Sequence, residues 1–600
     1  MKNFIFKALV FVLLINLVPS VFTISQVQKD NIVYTSILKE QFKDKNGKPL
    51  TGKGVVIGDV DSGIDIFSPM FFFADGGDFD WVDVNGDGKF TPGTDGVKIN
   101  GKVVILRVVK MRDGTGDRLN PNGYLNSDKE NYQPDLDFLY ADINNNGKRD
   151  FGEKDGFTEQ DPSYGEQLFI TIDANKNNKL DAGEKLVALK TSKVRSLREK
   201  NGTIRRRGID MIKSDVESVD HGTGVAGLIL GGHSGVQKIH GFAPDAELVE
   251  AKVNYYYTAR FVRNFPDLIN FVKSEKVNIM LYEDGEWGYE YLDGSSEEEQ
   301  LADELARSGI TVIGAAGNLS TGKMHIQDNI SAGVTSSYEF VCPEKVGGQK
   351  NDGAFVDIIW KDASNNLSFT VKTPDNNVSP VLKDGPGFYN VGNYNLYFEK
   401  SISSRGTVML KLGVSEKDSG SVKGNWEISV TPEKNTNIDG FLVDISQAWG
   451  NISYWKSDKL TPVSTVTFPS TGDSVISIGA YCVNIGWGEK VGDLCTYSGI
   501  GPTIGGKRGV DICAPGHVTF TTGTSNSYQQ FSGTSSAAPH AVGTAALLLQ
   551  YNPSLTHSDI KNILINSATT DDFTGTVPNT SWGYGKLNPE GAIKYVMQNF

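Results

Sequence analysis

The 600-residue chain is too long for one compact core, so about two to four domains are expected. Apolar residues make up 38% and charged residues 22%, the balance of an ordinary soluble protein. A net charge of −14 argues against nucleic acid or an anionic membrane surface as the main partner.

In chain order, the first element is a basic start, Met1 to Lys7, then the apolar run Ala8 to Val18 and small residues from Ser20 to Ser25. This is the pattern of a secretory signal peptide over residues 1–25. The run is short for a bilayer span, which leaves an N-terminal membrane anchor as the weaker alternative. No cysteine stands near the cleavage point, against a lipid anchor, and no other stretch has the length to span a bilayer. A secreted chain is expected: extracellular, or periplasmic or cell-surface in a double-membrane bacterium, with no membrane span in the mature form.

Gly54 to Val60 is a β-branched run that reads as a buried parallel strand, and Asp61 closes it. The C-terminal edge of such a strand is where open α/β sheets keep their chemistry. Three Asx-rich runs follow. Asp142, Asn144, Asn146, Lys148, Asp150 and Glu153 occupy positions 1, 3, 5, 7, 9 and 12 of one loop, with Gly147 at position 6. Asp173, Asn175, Asn177, Lys179, Asp181 and Glu184 repeat it, with Asn178 in the glycine's place, which asparagine tolerates. Both match calcium loops of EF-hand type, where alternate oxygens wrap a hard cation and a final Glu closes the shell. A third run, Asp83, Asn85 and Asp87, has the first half only, and Asp95 falls one position late. Calcium is the expected cofactor; the plainer reading of such runs is a set of turns. No paired amphipathic helices flank them, so isolated structural loops are expected rather than a sensor domain.

Val219-Asp220-His221-Gly222-Thr223-Gly224 sets a histidine at the mouth of a helix whose small residues allow close packing. Thr311 to Ala315 reads as a strand running into a tight turn at Ala316-Gly317-Asn318, which exposes an amide. From Phe355 to Asp375 and from Tyr394 to Pro432, short alternating strands punctuated by Gly, Asn and Asp predict a β-sandwich. The four cysteines, Cys342, Cys482, Cys495 and Cys513, have no metal-knuckle spacing. One disulfide is plausible, and Cys482–Cys495 is the pair nearest in sequence. Finally, Phe531-Ser532-Gly533-Thr534-Ser535 precedes a long apolar helix, placing Ser535 among small residues at a helix N-terminus. Unpaired N–H groups and the positive end of the macrodipole gather there.

Taken singly, these are a turn former, a satisfied polar residue, a turn amide and a helix cap. Together they supply a nucleophile in Ser535, a base in His221, an orienting carboxylate in Asp61 and an oxyanion donor in Asn318.

Gly58-Asp59-Val60-Asp61-Ser62-Gly63-Ile64-Asp65, His221-Gly222-Thr223-Gly224-Val225-Ala226-Gly227, Ala315-Ala316-Gly317-Asn318 and Gly533-Thr534-Ser535-Ser536-Ala537-Ala538-Pro539-His540 resemble the motifs of the subtilisin-like serine proteases, peptidase family S8. The chain order is also theirs. The resemblance implies an α/β fold, a subtilisin-like parallel sheet with helices on both faces, interrupted by a calcium-loop insertion and a β-sandwich insertion similar to jelly-roll domains of some relatives. The expected layout is a signal peptide at 1–25, catalytic segments at 26–75, 206–335 and 461–600, the calcium-loop insertion at 76–205 and the sandwich at 336–460. In the family a small, Gly-rich stretch lines the primary specificity pocket. Here Asn278 to Trp287 is bulky and acidic, so Leu281, Tyr282, Glu283, Asp284 and Gly317 are candidate substrate contacts of altered specificity. Glu283 or Asp284 facing the cleft would select a basic side chain; a solvated loop is the alternative. No room is seen for a folding prosegment.

The implied function is a secreted, calcium-stabilised serine endopeptidase acting on protein or peptide substrates through an acyl-enzyme. An aminopeptidase-type exopeptidase and a non-catalytic binding protein on the same scaffold are the alternatives. Oligomeric state is left open.

Overall fold

The strand β1, Val56–Asp61, is buried along its whole length, as a β-branched run inside a parallel sheet must be. In the computed structural model, which describes residues 42–113, 132–253, 265–283, 285–383, 385–445, 452–484 and 490–600, it lies near the middle of an eight-stranded sheet. The signal-peptide segment and Asp284 lie outside the described residues. The other strands are β2 (Val194–Arg198), β3 (Ile204–Arg206), β4 (Glu247–Lys252), β5 (Ile279–Tyr282), β6 (Thr311–Ala315), β7 (Ile476–Cys482) and β8 (Ile512–His517). Their order is β3-β2-β4-β1-β5-β6-β7-β8, parallel throughout except for β3, which runs antiparallel to β2.

Helices cover both faces. Helices α1 (Asp220–Leu230), α4 (Thr534–Tyr551), α5 (His557–Asn566) and α6 (Pro589–Asn599) bury Val225, Ile229, Ala541, Val542 and Ile593 against Ile57, Leu248, Leu281 and Ile313. Helices α2 (Phe265–Ser274) and α3 (Glu297–Arg307) pack Leu268, Val272 and Leu305 on the opposite face, against Val60, Val249 and Met280. Among the described residues, no helix is long and apolar enough to cross a membrane.

The segment between β1 and β2 closes into a six-stranded barrel: Asp78–Val82, Gly96–Ile99, Lys102–Val109, Phe138–Asp142, Leu168–Ile172 and Lys185–Leu189. The three Asx-rich runs are connections between its strands, so they are mounted on a barrel with its own small core of Leu106, Leu139, Phe169 and Leu186. All three share one hydrogen-bond scheme. The first aspartate accepts from the N–H at position 6 and from one at position 4 or 5: Gly86 and Gly88 to Asp83, Asn146 and Gly147 to Asp142, Asn177 and Asn178 to Asp173. A closing carboxylate then accepts from positions 2 and 9. In the last loop this is Glu184, from Ala174 and Asp181. In the first it is Asp95, from Val84 and Thr91, so the late spacing still closes the loop. In the middle loop it is not Glu153, which is half-exposed and pairs with Lys213. Glu166, buried and distant in sequence, accepts from Ile143 and Asp150 instead. The chain between them is taken up by two short 3-10 turns, which carry Glu153 out of reach.

Residues His325 to Lys456 build the sandwich, a six-stranded sheet facing a four-stranded one over Phe340, Trp426, Trp455, Val356 and Leu412. Its first strand, His325–Ile330, begins earlier than the expected boundary at 336. Cys482 and Cys495 are buried thiols with Sγ atoms 3.6 Å apart.

Candidate active site

Asp61 ends β1 and is almost wholly buried, yet its carboxylate is not left bare. His221, in the first turn of α1, brings Nδ1 to 2.9 and 2.8 Å from its two oxygens, and the Ser62 N–H donates to Oδ1. A carboxylate on Nδ1 fixes the imidazole tautomer and favours its protonated form, leaving Nε2 as the proton acceptor. The helix is seated by close backbone approach. A Cβ on Gly222 would stand 2.3 Å from the Gly63 carbonyl oxygen, and the Gly222 N–H donates to Ser62 Oγ at 3.0 Å. Phe531 packs edge-on to the imidazole, with ring centroids 5.3 Å apart.

Ser535 lies in the first turn of α4, behind Gly533 at φ 129°, a conformation that favours glycine. The first turn leaves N–H groups without intrahelical acceptors, so the Ser535 N–H is a free donor by position. Asn318 is fixed beside it. Its Oδ1 accepts from the Thr534 N–H at 2.8 Å and from Thr534 Oγ1 at 3.0 Å, while Thr534 Oγ1 accepts from the Gly317 N–H at 3.0 Å. The amide nitrogen of Asn318 is thereby oriented as the remaining donor. Tyr497 adds a second clamp, accepting from the Gly533 N–H at 3.1 Å and donating to the Gly516 carbonyl.

A cavity of 590 Å³ opens beside Asn318 and Ser532. Tyr497 and His517 line it from the sheet side, and Lys323, Ile452 and Tyr454, at the junction with the sandwich, line it from the other. The insertion therefore contributes a wall to the cleft.

The acidic segment after β5 behaves differently from the expectation of a surface loop. Leu281 and Tyr282 are core residues, fully buried in opposite faces of the sheet, and do not line the cleft. Asp284 lies outside the described residues. Gly317 has φ +98° and no room for a side chain, because Trp287 is packed upon it. Glu283 is only 8% exposed and is close to both Ser535 and Asp61. Burial holds its carboxyl well above the usual range, the charge of Asp61 adds to this, and the Ser535 hydroxyl offsets a little.

Two further acids escaped the sequence reading. Asp59 and Glu250 are direct neighbours across β1 and β4, fully buried. Burial, then each other's charge or that of Asp61, push both far above the usual carboxylate range. Glu250 Oε1 accepts from the Gly63 N–H at 3.0 Å and so steadies the turn after Asp61. An acid inside a run of β-branched residues was the available signal.

Comparison with known proteins follows the same lines. Residues 403–585 match the family model for the Subtilase family. The serine protease AprX of Bacillus subtilis (strain 168) is 35% identical over 143 residues, 22% of this chain and 32% of that protein. Subtilisin DY of Bacillus licheniformis is 33% identical over 133 residues, 22% of this chain and 41% of that protein. Over these residues the chain is similar to the subtilase family. It spans about a third to two fifths of the length of these curated relatives. The Clostridium perfringens CspB protease superposes over 92% of this chain and 96% of its own chain, with a TM-score of 0.60 and 16% identity, a likeness of fold.

The loops remain as the place for a metal. Among the described residues, no three or more Asp, Glu, His or Cys side chains gather as a metal-ligating group. Asparagine amides fill positions 3 and 5 in two loops and position 3 in the other, which lowers the carboxylate count. The donor set is nonetheless all oxygen, the chemistry a hard cation takes. In the two later loops the amides of Asn144, Asn146, Asn175 and Asn177 turn onto Asp150 and Asp181.

Proposed function

We propose that this protein is a secreted serine peptidase of subtilisin type that hydrolyses peptide bonds in proteins or peptides and is stabilised by calcium. The observation that carries the reading is the pairing of Asp61 with His221 in one sheet edge that also holds Ser535 and the fixed amide of Asn318. Ser535 Oγ attacks the scissile carbonyl while His221 takes its proton. Asp61 holds the imidazole and stabilises the imidazolium. The Asn318 amide and the Ser535 N–H receive the charge that develops on the carbonyl oxygen, and His221 returns the proton to the leaving amine. Water then repeats the sequence on the acyl-enzyme.

Labelling with a fluorophosphonate tests this directly. Wild type takes up the label and Ser535→Ala does not; an unlabelled wild type in the presence of calcium removes the reading. The presence of all four chemical groups speaks against a non-catalytic binding protein. Exopeptidase action is a second reading, favoured by one observation, the buried Glu283 carboxyl beside the nucleophile.

Calcium would be held by Asp142, Asn144, Asn146, Asp150 and Glu166 in one loop and by Asp173, Asn175, Asn177, Asp181 and Glu184 in another, with the Lys148 and Lys179 carbonyls. It would supply charge balance and tie the loops down. Export rests on the signal-peptide pattern; finding the chain in culture medium with an N-terminus near residue 26 is the expected outcome.

A further inference from the structure

The carboxyl of Glu283 is more than nine-tenths buried, and neither oxygen makes a hydrogen bond of normal geometry among the described residues, although the Ser535 hydroxyl is close enough to act on it. Natural proteins rarely leave such a group bare, because burial without a partner is costly. Its surroundings make the omission sharper. Asp61 acts on it directly, Asp59 and Glu250 stand behind Asp61, and both Asp59 oxygens and Glu250 Oε2 also lack partners among the described residues. Among the described residues the buried cation on this side is Lys252, whose Nζ lies 2.8 Å from the Glu217 carbonyl and 3.5 Å from Asp215 and whose charge also acts on Glu250. Among the described residues, four carboxyls thus share the edge of the sheet with one ammonium.

We propose that Glu283 is a specificity residue that receives the free α-ammonium of the substrate's first residue, making the enzyme an aminopeptidase. The inference rests on the serine-peptidase reading of the same site. Reach decides which cation fits. Attack requires Oγ to stand about 3–3.5 Å from the scissile carbonyl carbon. The α-nitrogen of the same residue is two covalent bonds, about 2.5 Å, from that carbon. A carboxyl beside Ser535 Oγ, on the side where the substrate's first residue lies, is therefore within reach of that nitrogen. A lysine or arginine side chain carries its charge at the end of a long stem and would overshoot. In an internal peptide the same nitrogen is a neutral amide followed by more chain, which offers Glu283 no charge. When the ammonium binds, Glu283 gives its proton to solvent and meets the substrate as a carboxylate. Its partner brings a positive charge to a cluster of four carboxyls.

Trp287 points to a small first residue. Its indole sits where a Cβ on Gly317 would come within 2.6 Å, and its Nε1 donates to the Thr465 carbonyl at 2.9 Å, so the indole is held there.

The test uses the full chain with three coumarin amides: free alanine, N-acetyl-alanine and N-acetyl-lysine. Wild type is expected to cleave the free alanine substrate about 30- to 100-fold faster in kcat/KM than its acetylated form, the range of a hydrogen bond to a charged group. In Glu283→Gln that ratio should fall toward unity, and Glu283→Asp should restore part of it. Fluorophosphonate labelling, which needs no amine, is followed in parallel, so lost recognition is told apart from a lost nucleophile. Equal or faster cleavage of acetyl-alanine by labelled wild type overturns the proposal, and so does a Glu283→Gln variant whose ratio is unchanged. Preference for acetyl-lysine would assign Glu283 to a basic side chain instead and overturn it as well. A wild type that takes no label removes the underlying reading and this one with it.

Discussion

Thr534 does for Asn318 what Asp61 does for His221: it spends two hydrogen bonds on fixing the orientation of its partner's side chain. Replacing Asn318 by leucine should lower kcat by about 10²–10³-fold, the loss seen when one such donor is removed from subtilisin itself, with KM little changed. Thr534→Val keeps the backbone bond but strips the hydroxyl that also satisfies the Gly317 N–H, so steady-state kinetics should show a smaller loss in kcat, about tenfold, with stability lower by about 1–3 kcal/mol. Asp59 gives a second residue-scale prediction, of opposite sign. Burial first, then Glu250, Asp61 and Glu283, keep its carboxyl protonated in the fold, whereas the unfolded chain ionises it near pH 4. Unfolding therefore releases a proton, and stability declines as pH rises from about 4 until the folded carboxyl itself ionises. Asp59→Asn removes this decline. Its melting temperature should match the parent's near pH 4 and exceed it at pH 7, a gain on the order of 1–3 kcal/mol. Both acids were visible in the sequence as charges inside strand-like runs. Their adjacency was not, because it depends on the register of β1 against β4, which the chain settles only when the sheet forms.

At the scale of elements, α1 reads out the difference between pattern and packing. Its histidine and glycines were legible because their spacing is local, and so was the strand that delivers Asp61. What each glycine avoids was not, since the obstacles come from far along the chain. Gly222 faces the Gly63 carbonyl, and Gly227 faces Thr521 and Thr522, which lie on the hairpin leading to Ser535. The helix is thus wedged between the two segments that carry its chemical partners. A methyl at Gly222 must push it off one of them. Gly222→Ala should cost about 1–3 kcal/mol of stability but about 10²-fold in kcat, since misplacement by an ångström is far more damaging to a proton transfer than to a core. Melting curves measured alongside turnover check the disproportion. The closing acid of the middle loop failed for a related reason: Glu153 has the right spacing, but two short turns carry it away and bring in Glu166.

At the scale of the whole molecule, the barrel is fastened to the site at both of its working ends. Tyr528 donates to the Leu136 carbonyl at 2.9 Å, and the backbone of Ser527–Tyr528 pairs with Arg112–Asp113, so the hairpin before Ser535 is stitched to the insertion. On the other side, Arg149 of the middle loop donates to the Phe67 carbonyl at 3.1 Å and to that of Ser163 at 2.6 Å. Phe67 follows Asp65, whose N–H donates to Thr223 in α1. The last loop, 173–184, makes no such link among the described residues: its hydrogen bonds there stay within the loop or reach Asp135 and Trp81 of the same insertion. Loss of metal from the two loops should therefore differ in kind. Binding at a hundredfold excess over Kd is worth about 2.7 kcal/mol to whatever unit it holds together. Asp150→Ala should lower both the melting temperature and the rate of peptide hydrolysis, and chelation should then add little further loss of rate. Asp181→Ala should lower thermal stability while leaving most of the rate, which chelation still reduces. Melting and initial rates, each with calcium and with chelator, separate the two cases. Equal loss of rate in both variants would mean that the barrel acts on the site as one block, and that Arg149 is not the route.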